Sequence, residues 1–196
     1  MFANRYTAFV DACSLVGALK RNLLLTLAES EFFRLRWSAG VLDETEKTLA
    51  GLFAQRGVSE PAIAAAKQRE RMEEAFEDAL VTDFETYMAV CGGLPDPNDV
   101  HVLAAALKTR AATLVTDNLK DFPAEILAPL NIEARSTDAF IADTIELAPG
   151  RAVAAIRRMR ESFKKPDMTP EHLLITMEAA GLTETVDTLR PHVLSL

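Results

Sequence analysis

Short apolar runs that end at an aspartate alternate with helical segments along this chain of 196 residues. The first run, YTAFV, has the length and apolar content of a buried strand, and Asp11 follows it directly before a helical pattern begins. A second apolar run, Ala112 to Thr116, ends at Asp117 in the same way. Strands that alternate with helices favour an α/β sandwich around a mainly parallel sheet, in which the carboxyl ends of the strands share one edge.

Helical patterns fill most of the chain between these runs. Residues 14–35 have a largely helical pattern, a loop at residues 38–40 follows, and a second helix is predicted over residues 41–55. Residues 61–90 favour one or two further helices, whose many acidic residues are typical of a solvated face. The segment CGGLPDP is rich in helix breakers and predicts a loop, after which a helix begins in NDVHVLAAALKT.

The last third of the chain is mainly helical in pattern. A short helix in PAEILAPL and a strand in NIEAR precede a helix in TDAFIADTI, which Ser136 or Thr137 would cap. From about Glu146 onward, apolar residues recur at three- and four-residue steps, which predicts an amphipathic helix followed by two short ones. We therefore predict one main domain over residues 1–143 and a C-terminal helical extension over residues 144–196.

Composition excludes several classes of protein. Hydrophobic residues make up 49% of the chain, which is enough for one substantial core. There is no run of about 18 uncharged apolar residues and no secretory signal pattern, so we expect no membrane span and a cytoplasmic location. Cys13 and Cys91 are too few for a disulfide framework and lack the spacing of a zinc site, and we expect both to be buried thiols.

Four acidic residues stand at the ends of predicted strands or near the starts of predicted helices. They are Asp11, Glu44, Asp99 and Asp117. Each has a structural alternative: the strand-end aspartates suit turns, Glu44 suits a solvated helix face, and Asp96 and Asp99 suit helix caps. In a parallel sheet, however, strand ends and the helix starts that follow them meet at one edge, so these carboxylates should converge.

Convergent carboxylates point to a metal site and to a class of chemistry. They repel one another unless a cation neutralises them, and Mg²⁺ or Mn²⁺ are the hard ions that favour such oxygen ligands. An ion held in this way lowers the pKa of its water, orients a phosphate and stabilises the entering and leaving oxygens. The four acids therefore predict metal-dependent hydrolysis of a phosphodiester.

The order of the motifs resembles the PIN-domain family. FVDACSLV, then VLDE, then LPDPNDVHVLAAALKTRAATLVTDNLKDFP follow the order of that family's acidic motifs, and the part from PDPND to LKDFP is the specific one. The resemblance covers about residues 5–143 and implies a three-layer PIN-like sandwich. Carried over residue by residue, it implies as catalytic and metal-binding residues Asp11, Glu44, Asp99 and Asp117, with Asp96 and Asp121 as secondary candidates.

One helical turn leaves the choice of acid open, because Asp43, Glu44 and Glu46 crowd it. The motif VLDE favours Glu44, and a helix would turn Asp43 away from it by about 100°. Near the last motif, Asn118 and Lys120 are candidates for phosphate contacts or for a plain surface loop. His101, two residues after Asp99, should lie on a different helix face and be structural.

The resemblance also implies a function and partners. PIN domains similar to this one are usually VapC-type toxins, so the resemblance implies an Mg²⁺- or Mn²⁺-dependent endoribonuclease that cuts RNA and is held inactive by a cognate antitoxin. It further implies a homodimer. The segment from about Glu146 resembles an extension carried by a subset of such proteins.

Other readings of the acidic residues fit less well. A receiver domain needs an acidic pair near its start, and a haloacid-dehalogenase phosphatase needs a second aspartate two residues after the first, where this chain has Cys13. The strongest alternative from another class is a non-catalytic PIN-like RNA-binding or scaffold protein. Such a protein would normally have lost one or more acids, whereas this chain retains all four.

The net charge of −8 is unusual for an RNA enzyme, because phosphate binding draws on lysine and arginine. Basic residues are concentrated in residues 151–165, which contain a single acid, Glu161. This basic segment contains Arg151, Arg157, Arg158, Arg160, Lys164 and Lys165. We predict that it attracts RNA phosphate, and the alternatives are a solvated helix face and an antitoxin-binding surface.

Overall fold

The structure, a computed structural model, describes residues 6–163 and 168–196. Its strands are β1 (Thr7–Val10), β2 (Arg34–Ser38), β3 (Leu80–Val81), β4 (Thr113–Val115) and β5 (Glu133–Arg135). Its α-helices are α1 (Ala12–Val16), α2 (Ala18–Glu29), α3 (Ala39–Gln55), α4 (Pro61–Ala75), α5 (Val100–Lys108), α6 (Ala124–Leu127), α7 (Thr137–Leu147), α8 (Pro149–Ser162), α9 (Pro170–Ala179) and α10 (Thr183–Leu189). The predicted α/β class with a helical C-terminal part is confirmed.

All five strands form one parallel sheet in the order β3-β2-β1-β4-β5. The central strand β1 is almost wholly buried, as expected for a parallel strand that reads as a continuous apolar run. In the pairing of β1 with β4, Val10 lies opposite Val115. The residues that follow these two strands therefore meet at the carboxyl edge of the sheet, where the amide of Asp11 donates to the Val115 carbonyl at 3.0 Å.

Two of the strands were not predicted. The expectation of helix over residues 14–35 and of a loop at 38–40 is wrong for β2, which pairs in parallel with β1. Its side chains alternate, with Leu35 and Trp37 buried and Arg34 exposed, but five residues between two helices give a weak pattern. The expectation of only helices over residues 61–90 is wrong for β3, whose two residues pair with the end of β2.

The chain divides into two compact units. The first, called here the sheet unit, comprises Tyr6–Val16 and Arg34–Arg135, and the second, the helical unit, includes Gly17–Phe33 and Ser136–Leu196. Within the helical unit α2 packs against α7 and α8, and the rings of Phe33 and Phe140 meet edge to face at 4.9 Å. The domain boundary between residues 143 and 144 stays a prediction.

In the part of the chain that the structure describes, none of the helices combines the length and the apolar character that crossing a bilayer requires.

A buried carboxylate joins two helices of the helical unit. Asp138 in α7 is only 8% exposed. Its carboxylate accepts the backbone N–H groups of Glu184 and Thr185, both at 2.9 Å, and the Thr185 hydroxyl at 2.7 Å. These groups belong to the first turn of α10, where helical N–H groups have no partner within the helix. Asp138 therefore caps α10 from another helix.

We expect Asp138→Ala to lower the free energy of unfolding by about 1–3 kcal/mol, because it leaves buried donors without an acceptor. Denaturant unfolding measures this. Asp187→Ala is the control: that side chain is 80% exposed, stands 3.9 Å from Arg190 and should change stability by less than about 0.5 kcal/mol. Equal losses in the two variants would contradict the capping role.

Candidate active site

Asp11 has the most hydrogen-bond donors of the predicted acids among the described residues. It directly follows β1 and is 6% exposed. Its Oδ1 accepts the Ala12 N–H at 2.7 Å, and its Oδ2 accepts the Thr116 hydroxyl at 2.8 Å and the Cys13 thiol at 3.1 Å. Three donors thus hold a buried carboxylate in one orientation at the carboxyl edge of the sheet.

Cys13 connects Asp11 to Asp117. Its thiol donates to Asp11, and its sulfur accepts the backbone N–H of Asp117 at 3.2 Å. The expectation of two buried thiols is wrong for Cys13, which is exposed, whereas Cys91 is buried. The thiol nevertheless makes part-buried contacts, and its burial, together with repulsion by the Asp11 carboxylate, raises the pKa of Cys13 to about 11. The thiol is therefore protonated at neutral pH and able to donate.

Glu44 has a different partner from the two acids near it on the same helix. Arg69 of α4 donates to Asp43 and, at 3.1 Å, to Glu46. The carboxylate of Glu44 instead lies 3.0 Å from the imidazole of His101. Of the three acids in this turn, Glu44 is the one that contacts the start of α5.

His101, which the sequence predicts to be structural, contacts an acid on another helix. It lies on α5, and its Nε2 is within hydrogen-bond distance of Glu44 Oε1 on α3. No sequence pattern connects His101 with Glu44 on another helix. The one available signal is that His101 stands two residues after the end of the motif PDPND. Cys13 and Thr116 were likewise not assigned a role, although each is one or two residues from a predicted acid.

The two acids of PDPND have different surroundings. Asp96 accepts the N–H of Asn98 at 2.9 Å and so caps the turn Pro97–Asp99. Asp99 occupies the cap position of α5 but makes no capping hydrogen bond with its side chain. Its Oδ2 is buried and has no hydrogen-bond partner among the described residues. The helix-cap alternative therefore applies to Asp96 and not to the Asp99 side chain.

Asp99 lies among other carboxylates. Burial raises its pKa from 3.8 to about 6, and repulsion by the charges of Asp11, Asp96, Asp121 and Glu44 adds to this rise. These five residues are called here the carboxylate cluster. Asp121 also accepts a hydrogen bond from the Asn118 side chain. The structure thus places three of the four main predicted acids and both secondary ones near one another, and Asp117 is tied to Asp11 through Cys13.

The donor set fits a hard divalent cation. A buried carboxylate oxygen without a partner, with several like charges around it, lacks the positive charge that would stabilise it. Carboxylate oxygens are the ligands that Mg²⁺ and Mn²⁺ prefer. Within residues 6–163 and 168–196, no three side chains of His, Cys, Asp or Glu are grouped closely enough to hold one ion together. The cluster is therefore a neighbourhood of candidate ligands and not a finished coordination shell.

The chain is therefore an α/β protein with a parallel sheet and a cluster of acidic side chains at the carboxyl edge of that sheet. The chain belongs to the PIN-domain family, because the sequence model of the PIN domain matches residues 7–120. A second family model, that of the VapC50 C-terminal domain, matches residues 137–191. The resemblance inferred from the sequence is thereby confirmed.

A curated relative matches part of the chain. It is a protein of Mycobacterium tuberculosis (strain ATCC 25618 / H37Rv) named "Putative ribonuclease VapC50", and it is 42% identical over 76 residues. The match covers 39% of this chain and 45% of the relative, so the chain spans less than half of that protein's length. No solved structure matches the chain significantly.

The surroundings of Asp99 make the stability of the metal-free protein depend on pH. Because the pKa of Asp99 is raised in the folded state, the folded state binds its proton more tightly than the unfolded state does. The free energy of unfolding therefore falls as the pH rises from about 4 to about 6. Asp99→Asn should remove this dependence and stabilise the metal-free protein at pH 7. We expect about 1 kcal/mol, since solvent screens a partly exposed carboxylate. Thermal melts in EDTA between pH 4 and 7 measure it.

The same variant tests Asp99 as a metal ligand. The rise in Tm on adding Mn²⁺ should be smaller in Asp99→Asn, because stabilisation by a ligand follows its affinity. Asp187→Asn removes an exposed carboxylate elsewhere and should keep both the pH dependence and the Mn²⁺ shift. An undiminished Mn²⁺ shift in Asp99→Asn would count against Asp99 as a ligand.

Proposed function

We propose that the chain is a metal-dependent endoribonuclease that hydrolyses RNA phosphodiester bonds and is the toxin of a type II toxin–antitoxin pair. The observation that carries the proposal is the buried, unpartnered Oδ2 of Asp99 within the carboxylate cluster of a PIN domain. The name of the relative as a ribonuclease supports RNA as the substrate. We propose residues 1–143 as the nuclease domain and residues 144–196 as its helical extension.

The residues proposed to hold the metal are Asp11, Glu44, Asp99 and Asp117, with Asp96 and Asp121 as secondary candidates. When bound, Mg²⁺ or Mn²⁺ would supply an acidified water and an electrostatic anchor for the phosphate. The chain's own residues orient the acids: Thr116 and Cys13 hold the Asp11 carboxylate, and His101 contacts Glu44. The low exposure of Asp11 limits its hydration and would strengthen its interaction with a cation.

The proposal predicts RNA cleavage that needs a divalent cation. Asp11→Asn, Asp117→Asn and Glu44→Gln should each lower the rate by about two orders of magnitude or more, because each removes a charged ligand at nearly constant volume. Asp43→Asn is the matched control for Glu44→Gln, since Asp43 is bound by Arg69. Total RNA incubated with Mg²⁺, Mn²⁺ or EDTA gives the readout.

Two outcomes would contradict this proposal. Strong cleavage by the purified wild type in excess EDTA would exclude the metal mechanism. RNA binding without cleavage under all of these conditions would favour the alternative, a non-catalytic PIN-like RNA-binding or scaffold protein. Loss of activity in Asp43→Asn with full activity in Glu44→Gln would move the assignment to the neighbouring acid.

The basic segment is partly neutralised within the chain. Arg157 and Arg160 contact Glu161 at 2.8 Å and 3.3 Å. Arg151 donates to the Ser30 carbonyl at 2.8 Å and lies over the Phe32 ring at 4.9 Å. Lys164 and Lys165 lie outside the described residues.

Arg158 is the arginine of this segment with no side-chain partner in the part of the chain that the structure describes. It lines a groove of about 460 Å³ in the helical unit, together with Glu29, Ser30, Arg151 and Ala154. An uncompensated guanidinium beside a second, oriented one is suited to a phosphate. We propose that Arg158 contributes most to the phosphate attraction of this segment.

Arg158→Glu should therefore weaken RNA binding and make the slope of log affinity against log salt less steep by about 0.7 or more. Arg157→Glu is the matched control and should have a smaller effect, because Glu161 already neutralises Arg157. Fluorescence anisotropy of a labelled RNA at several salt concentrations measures both. An unchanged salt slope in Arg158→Glu would leave a solvated face or an antitoxin surface as the explanation.

We also propose a homodimer and a cognate antitoxin as partners, as the family resemblance implies. Sedimentation at micromolar concentration should give the mass of two chains, and a monomer alone would contradict a stable dimer. Expression of the chain should arrest growth, and co-expression of a small DNA-binding protein encoded beside it should relieve the arrest.

A further inference from the structure

The imidazole of His101 stands between two helices that meet beside the carboxylate cluster. Its Nε2 lies 3.0 Å from Glu44 Oε1, and a carboxylate offers only acceptors, so the ring nitrogen is the donor. The His101 side chain is 23% exposed and that of Glu44 is 53% exposed. A hydrogen-bonded pair so open to solvent contributes little to stability, which leaves orientation as its main physical effect.

Gly40 of α3 lies against the imidazole ring of His101. A Cβ at position 40 would lie 3.2 Å from Nδ1 and 3.3 Å from Cε1 of His101. Contacts this short would force the ring to move by a few tenths of an ångström. The glycine thus allows the imidazole to approach the first turn of α3, from which Glu44 is one turn away.

Glu44 is the exposed member of the carboxylate cluster. Its side chain is 53% exposed, whereas Asp11 is buried and held by three donors, and Asp96 and Asp121 are half-buried. Its charge nevertheless contributes to the raised pKa of Asp99. Without a partner, an exposed glutamate would sample many rotamers and lose conformational entropy on binding an ion.

We propose that His101 is a positioning residue that holds the Glu44 carboxylate toward the carboxylate cluster, in a place that Gly40 keeps open. This rests on the proposed metal-dependent function. The partners that orient a ligand commonly change metal affinity by about 10- to 100-fold when they are removed. His101 acts through Glu44 and touches neither the metal nor the RNA.

The test measures Mn²⁺ binding to the purified chain by titration calorimetry, without RNA. In His101→Gln the side-chain amide places a donor close to the position of Nε2, whereas in His101→Asn the shorter amide cannot reach Glu44. We expect His101→Asn to lower Mn²⁺ affinity about tenfold and His101→Gln to restore most of the loss. The Tm in EDTA should change little in both, because the pair is exposed.

Two comparisons sharpen the result. His172→Asn, in α9 of the helical unit, is the control for loss of an exposed histidine and should leave Mn²⁺ affinity unchanged. Gly40→Ala should lower the Mn²⁺ affinity severalfold in the wild type. It should have no effect in the His101→Asn background, because the imidazole that the new Cβ would displace is absent there. The alanine favours the helix, so the Tm in EDTA should be unchanged or higher while the affinity falls.

The outcomes separate this inference from the proposed function. If the wild type binds no Mn²⁺, the metal-dependent function fails and the positioning role with it. If the wild type binds Mn²⁺ and His101→Asn binds it equally well, the positioning role alone is wrong. The positioning role is also contradicted if His101→Gln does not restore the Mn²⁺ affinity. The same holds if Gly40→Ala has no effect in the wild type, or an equal effect in the wild type and in His101→Asn.

Discussion

The site depends on the parallel pairing of β1 with β4. Val10 lies opposite Val115, so the next residue of each strand, Asp11 and Thr116, are neighbours although they are 105 positions apart along the chain. Thr116 then donates to Asp11, and Cys13 binds both Asp11 and the amide of Asp117. Both faces of β1 are buried, and Val10 and Val115 are both 0% exposed, so this pairing lies in the core of the sheet unit. A shift of one residue between the two strands would move Asp11 by about 3.3 Å along β4 and away from Thr116.

Residues around the carboxylate cluster donate hydrogen bonds to four of its five members. Asp11 has three donors, Asp96 caps a turn, Asp121 binds Asn118, and Glu44 contacts His101. Asp99 lacks such a bond at Oδ2, and burial, with repulsion by its neighbours, raises its pKa. This buried oxygen without a donor is a position where a cation would offset the cost of burial and of repulsion.

The parts of the fold and site that could be predicted are those with a local signal. The apolar runs before Asp11 and Asp117 are buried strands, because burial on both faces leaves a continuous hydrophobic run. β3 could not be predicted in this way, since two residues have no periodicity. The roles of His101 and Cys13 depend on residues 57 and 104 positions away, and no local pattern contains that information. The acidic residues were predicted from their places at strand ends and helix starts and from the order of their motifs, and the family model for residues 7–120 supports the family resemblance.

The contacts of Arg69 explain how a helical turn with three acids can offer one of them to the cluster. Successive residues of a helix point about 100° apart, so Asp43 and Glu44 cannot face the same neighbour. Arg69 of α4 binds Asp43 and Glu46, which lie three residues apart and so on one face of α3, and it also contacts Glu73 at 3.3 Å on its own helix. Without that guanidinium, two more uncompensated negative charges would stand beside Glu44. The packing of α4 on α3 therefore has an electrostatic consequence as well as a structural one: it neutralises the acids that flank Glu44 and leaves Glu44 to His101 and the carboxylate cluster.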